Sequence, residues 1–297
     1  MLAGCADDEE APSTPFALTF EAVNGADPAN CTAGLSGLGS GEVSVGVSDL
    51  RFYVSNLRAY DAAGAEVGLA FDDNEFQYRS DADWVALIDL TGNEDGTCAN
   101  SSIAFAEGTA RTNSEVVGIA TGGPIDRITF DVGVPQRLMR ETIANHTAEG
   151  APSPLAEMHW SWASAYRHFV FNFTVQDATD QGEGYVHVGS RDCGGDGARA
   201  LTDQDACGLV YTPTVDLQGF DPGTNRVAVD LGALLTGLDF RAPIYDPMTF
   251  EVIGEGVGVE CHSAPEGQPD CQNIFGALGI DMTTGLATGS NQVFRSR

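Results

Sequence analysis

The chain has 297 residues and a formal charge of -29, from 43 acidic and 14 basic side chains, and every base is an arginine. A chain of this length can bury a substantial core in one large domain. Nucleic acid is a poor partner, because phosphate contacts need clustered cations that this composition lacks, and no apolar run approaches the roughly 20 residues of a bilayer-spanning helix.

Residues 1–15, MLAGCADDEEAPSTP, read as a tether. Leu2-Ala3-Gly4-Cys5 resembles a bacterial lipobox, whose cysteine, here Cys5, is lipidated after a leader is cut; this implies a periplasmic or cell-surface protein on a membrane anchor in a Gram-negative bacterium. The basic and apolar regions of a signal peptide are missing from the stretch, which leaves an ordinary flexible tail as the other reading.

Residues 16–297 read as a single domain. Short β-branched and aromatic runs recur between Gly, Asp, Asn and Pro clusters: FALTFEAV (16–23), VSVGVSDLRFYVSNLRAY (43–60), DWVALIDL (83–90), RITFDVGV (127–134) and RVAVDL (226–231). That spacing predicts an all-β fold, an antiparallel β-sandwich with long loops and a few short helices. Helical periodicity is confined to short segments such as PQRLMRETIANH (135–146). Asp72-Asp-Asn-Glu75 lacks the spaced ligands and central glycine of a calcium loop and reads as a solvated turn.

Six cysteines besides Cys5 are compatible with three disulfides in an exported protein, and fifteen pairings exist on paper. Cys193 with Cys207 and Cys261 with Cys271 each flank a Gly-, Asp- or Pro-rich loop, which leaves Cys31 with Cys98. The competing thiolate zinc site finds no C-x-x-C pair. The absence of C-x-x-C-H excludes covalent c-type haem on this chain.

The stretch MHWSWASAYRHFVFNF (158–173) holds two of the three tryptophans and two of the five histidines. Read as one strand, it places Trp160, Trp162, Ser164, Tyr166 and His168 on one face, and His159, Phe169, Phe171 and Phe173 on the other. Both faces carry large rings, so a strand buried on both sides is a sufficient account. Trp84 reads as core.

Several segments in order resemble the MbnP-like proteins, the periplasmic, methanobactin-associated, four-Cys-motif family. They are Phe20 with Cys31, Asp49-Leu-Arg-Phe-Tyr-Val-Ser-Asn56, Val85-Ala-Leu-Ile-Asp-Leu90 ahead of Cys98, Gly133-Val-Pro135, Ala151-Pro-Ser-Pro-Leu155, Met158-x-Trp160-x-Trp162 with Tyr166, and His187-Val-Gly-Ser190 before Cys193. The resemblance implies an exported copper-binding protein, not itself an enzyme, that serves copper uptake or storage. It further implies that a partner di-haem enzyme of the cytochrome c peroxidase type (MbnH) oxidises a tryptophan to kynurenine, whose amine and ketone offer donors that indole lacks.

Carried over by position, the family's histidines correspond to His146 and His187. The residue to be modified is Trp160, with Trp162 as the alternative. His159 and His168 are further candidate ligands. His262 stands after Cys261 where a methionine is typical, and an imidazole there replaces a softer thioether donor. The segment between Pro135 and His146 is longer than the family arrangement, and Ala165 replaces a glycine. No nucleophile elbow, phosphate loop, dinucleotide fingerprint or H-E-x-x-H occurs. The reading from another class is a disulfide-stapled cell-surface sandwich that binds a protein or glycan partner.

Overall fold

The computed structural model describes residues 12–39, 43–81, 83–92, 112–146, 150–160, 165–193, 207–246, 248–249, 251–264 and 267–297. Within these, the first strands are β1 (Ser13–Asn24), β2 (Asp27–Pro28), β3 (Leu35–Leu38), β4 (Val43–Tyr60), β5 (Glu66–Phe71), β6 (Gln77–Arg79), β7 (Trp84–Asp89), β8 (Glu115–Thr121) and β9 (Arg127–Val132). Helix α1 (Gln136–Asn145) follows, then β10 (His159–Trp160), β11 (Ala165–Gln176), β12 (Gln181–Gly189), β13 (Thr214–Gln218) and β14 (Val227–Asp230). The chain continues through α2 (Leu231–Leu234), β15 (Arg241–Tyr245), β16 (Val252–Cys261), α3 (Asp270–Leu278) and β17 (Phe294–Ser296). The all-β prediction holds: the runs at 16–23, 43–60, 83–90, 127–134 and 226–231 supply β1, β4, β7, β9 and β14, and 135–146 supplies α1.

Strand β4 is the spine. It pairs with β3, β5, β7, β9 and β11, all antiparallel, and β11 passes the sheet on to β12. Two pairings are parallel, β1 with β14 and β12 with β16. On one face of the β4–β11 sheet, Phe52, Phe130 and Phe169 meet Phe20 of β1 or Phe294 of β17, and Phe171 and Phe173 stack on each other in the same core. Edge-to-face packing at centroid distances of 5.5 Å for Phe20–Phe52 and 5.4 Å for Phe52–Phe294 locks the two layers together; such ring pairs add about 0.5–1.5 kcal/mol each beyond buried area. Trp84 is core, stacked on Phe71 at 4.0 Å.

The other face is also covered. Tyr53, Val85, Leu87, Tyr166 and Val170 pack against Val134, Leu138 and Met139 at the start of α1, and against Leu155 and Met158. Burial on both faces explains why β4 and β11 carry apolar side chains without alternation. Among the buried polar groups, Arg51 grips Asp49 through two hydrogen bonds of 2.7 Å, and Glu157 approaches Arg51 at 3.6 Å.

The stretch 158–173 is not one strand. Trp160 pairs with Ala165 and His159 with Tyr166 in antiparallel register, so the chain reverses between β10 and β11. Alternation counted along one continuous strand therefore does not apply to this stretch. Disulfides join Cys193 to Cys207 and Cys261 to Cys271. Cys31 is disulfide-bonded, while Cys5 and Cys98 lie outside the described residues.

Candidate metal centre

The parallel pairing of β12 and β16 builds the site. Its last register pair is Val186 with Cys261, so the following residues, His187 and His262, stand beside each other on neighbouring chains spaced about 4.8 Å apart. Their Nδ1 atoms approach to 3.1 Å, across 75 residues of sequence. The ring of Tyr185 covers His262 at a centroid distance of 4.4 Å.

Asn172, opposite Tyr185 on β11, sets the orientation of His187. Its Oδ1 lies 2.8 Å from His187 Nε2. A carbonyl oxygen only accepts, so Nε2 carries the proton and Nδ1 presents its lone pair toward His262. His262 Nδ1 is then the donor of the 3.1 Å bond.

Both rings are held neutral. Burial depresses His187 well below its ordinary value, and His262, Arg167 and Arg51 depress it further; burial and then Arg167 bring His262 down to about 4. Neutral imidazole is the metal-binding form. Two nitrogens that share an ion at roughly 2.0 Å lie about 2.8 to 3.3 Å apart, from right-angled to tetrahedral arrangement, and the observed separation falls inside that interval. A ligating histidine commonly donates its other N–H to a carbonyl or carboxylate, the part Asn172 plays here. The donor set fits an imidazole-binding ion such as copper once the Nδ1 proton of His262 has moved to its Nε2, which turns the second Nδ1 lone pair toward the same point. Among the described residues, no three His, Cys, Asp or Glu side chains gather to hold a metal ion.

The remaining histidines are placed differently. His146 is the exposed residue closing α1, in extended conformation with its N–H on Thr142 O. His159 packs edge-on against Tyr166 at 5.4 Å. His168 is fully buried with both ring nitrogens engaged: Nδ1 accepts from Val134 N–H at 3.0 Å, and Nε2 lies 2.7 Å from Ser190 Oγ. Because Nδ1 accepts, Nε2 must donate, and Ser190 passes its own hydrogen to Val210 O at 2.9 Å. This excludes a serine–histidine nucleophile, since the ring has no lone pair to take the serine proton. It equally leaves His168 no lone pair for a metal in this arrangement, and burial lowers its pKa to about 4. Trp160 lies opposite Ala165 in the β10–β11 pairing. Trp162 lies outside the described residues.

Asn172 and Tyr185 are parts of the site that sequence reading missed. The one legible signal was Asn172 itself, an amide inside the apolar run FVFNFTV, since a buried polar side chain in a strand needs a dedicated partner.

The MbnP family model matches residues 13–249. His262 and the Cys261–Cys271 disulfide lie beyond that segment. The structure of MbnP from Methylosinus trichosporium is similar over 96% of this chain and 98% of that one, with 27% sequence identity and a TM-score of 0.69. No curated protein matches.

Proposed function

Because the chain belongs to the methanobactin-associated MbnP family, we propose that it is an exported copper-binding protein whose site combines His187 and His262 with a kynurenine made from a tryptophan. The observation that carries this reading is the convergence of two neutral imidazole Nδ1 atoms at 3.1 Å. Imidazole suits copper, and among divalent first-row ions copper binds nitrogen donors most strongly. Two donors leave coordination positions to fill, and the kynurenine would supply a donor from the β10–β11 hairpin.

Trp160 is the residue we assign to oxidation, with Trp162 as the alternative, and the oxidant is delivered by a di-haem partner enzyme of the cytochrome c peroxidase type. The chain itself is not an enzyme in this reading; it is the substrate of that partner and then holds copper for uptake or storage. Cys5 would carry a lipid anchor in the periplasm or on the cell surface. His187 takes the role implied for it by the family pattern, whereas His262 takes the place that resemblance gave to His146.

The test is mass spectrometry of the protein produced with and without such a partner, followed by copper titration. Oxidation of Trp160 is expected only with the partner, and Trp160→Phe should abolish it while the fold is retained. Retention of the modification in that variant moves the assignment to Trp162. Copper binding equal in the modified protein and in its His187→Ala/His262→Ala variant would overturn the copper reading.

A further inference from the structure

Strand β16 is longer than the ladder it joins. Its pairing with β12 covers Gly258 to Cys261, so residues 252–256 run past that ladder with β15 beside them. The two strands form an arm on which residues 251–255 are all exposed. Among the described residues the exposed large apolar side chains are Ile119, Ile244, Met248, Val252, Ile253 and Leu286, and four of these six stand on the arm. Apolar surface gathered in one place marks an interaction site, whereas singly scattered residues do not.

The tip of the arm is ordered. The Asp246 carboxylate accepts the N–H groups of Met248 at 2.8 Å and Thr249 at 2.9 Å, and the Asp246 N–H reaches Glu251 O at 2.8 Å. A turn fixed in this way loses little freedom when a partner covers it. Ile253 is the extra residue of a β-bulge, between the pairs Ile244–Gly254 and Tyr245–Val252, and Pro243 has no N–H to offer a further strand. Bulge and proline blunt the arm against strand addition, so an occupant packs on its side chains.

At the base of the arm lies a cavity of 460 Å³, lined by Asp239, Glu255, Glu260 and Asp270 together with Arg241 and Val252. Val252 thus belongs to the cavity and to the apolar surface, which makes them continuous. Arg241 also leans toward Asp177 at 3.7 Å. Burial raises the Asp270 carboxyl above its ordinary value, and the charges of Asp239 and Glu260 add to the rise. The carboxylates oppose one another here, and a cation among them would relieve that repulsion.

This sign selects the occupant. Anionic lipid is repelled by the carboxylates, and a second copy of the chain would bring the same acidic border, where like charges across an interface cost affinity. We propose that the β15–β16 arm and the cavity at its base are the docking surface for a protein partner that presents an apolar patch bordered by lysine or arginine. The apolar side chains form the centre of the contact and the carboxylates its rim, with a basic side chain of the partner entering the cavity. The surface is separate from the tryptophan-bearing hairpin: β10 pairs with the first residues of β11, whereas the arm extends past the Glu183 end of β12, beside the last residues of β11. It does not depend on the copper reading.

The test measures, by fluorescence anisotropy with the full chain at low salt, the binding of a labelled helical peptide whose leucine face is bordered by lysines. A twin peptide carries glutamate for every lysine and tests the charge requirement without any variant. Ile244→Ser/Ile253→Ser removes the apolar centre and Asp239→Asn/Glu255→Gln neutralises the rim; all four side chains are exposed, so both variants should melt as wild type does. Wild type is expected to bind the lysine peptide, and the twin peptide and both variants should each bind tenfold or more weakly. Apolar-arm variant and wild type binding the lysine peptide equally would overturn the proposal, because the attraction would then belong to the charge of the whole chain. Phosphatidylglycerol–phosphatidylethanolamine vesicles bound by wild type and released by the apolar-arm variant would overturn it in favour of a membrane surface. A dimer seen by sedimentation and lost in that variant would overturn it in favour of a second copy.

Discussion

Replacing His168 by glutamine tests the electrostatics of the core most directly. The buried ring has a pKa of about 4 in the folded chain, against about 6.5 when unfolded, and each tenfold is worth about 1.4 kcal/mol. Because the folded value is depressed, the contribution is fully present above pH 6.5 and declines as pH falls toward 4, to a total of about 3 kcal/mol. Between pH 7 and pH 5, about 2 kcal/mol should be lost on this account. Glutamine can accept from Val134 and donate to Ser190 but does not titrate.

Urea unfolding of both proteins at the two pH values, with disulfides intact, measures the difference. The variant should start less stable and lose about 2 kcal/mol less than wild type on acidification. Other titrating groups cancel in this comparison. Among them is Asp89, which burial raises to about 6; its penalty is present at neutral pH and relieved on acidification, opposite in sign to the histidine. Equal pH dependence in the two proteins, or an imidazole signal of His168 titrating near 6.5, would refute the assignment of a buried neutral ring.

Other expected outcomes follow from single contacts. Asn172→Leu strands the Nε2–H of His187 in a buried site and should cost about 1–3 kcal/mol in denaturant; Asn172→Asp, which keeps an acceptor, should restore copper affinity toward wild type. At Gly133, φ is 154° and an added Cβ would stand 2.7 Å from His168 Nδ1. Gly133→Ala should therefore lower stability by about 2 kcal/mol or more, and faster hydrogen exchange at Val134 N–H would report the broken bond. Cys261→Ser/Cys271→Ser opens a loop of 10 residues and should cost about 3 kcal/mol in the chain-entropy account; copper titration of the same variant should show weaker binding, since His262 loses its clamp. Arg51→Ala leaves Asp49 charged and buried, and a loss of about 3–5 kcal/mol is expected from thermal or urea unfolding.

Local signals in the chain carried much of this molecule. β-branched and aromatic runs between turn residues marked β1, β4, β7, β9 and β14, the short periodic segment marked α1, and loop composition matched Cys193 to Cys207 and Cys261 to Cys271. These features depend on residues near one another in sequence, where alternation, turn chemistry and loop closure act. The reversal inside MHWSWASAYRHFVFNF was not legible in this way, because an unbroken aromatic run looks the same whether it continues or folds back. Nor was the pairing of His187 with His262. It arises from a parallel register between β12 and β16, and parallel neighbours are chosen by the packing of distant segments, with no turn between them to announce the match. Sequence thus determined which residue types were available for chemistry; the tertiary structure decided that His187 would meet His262, held by Asn172, and that His168 would serve the core.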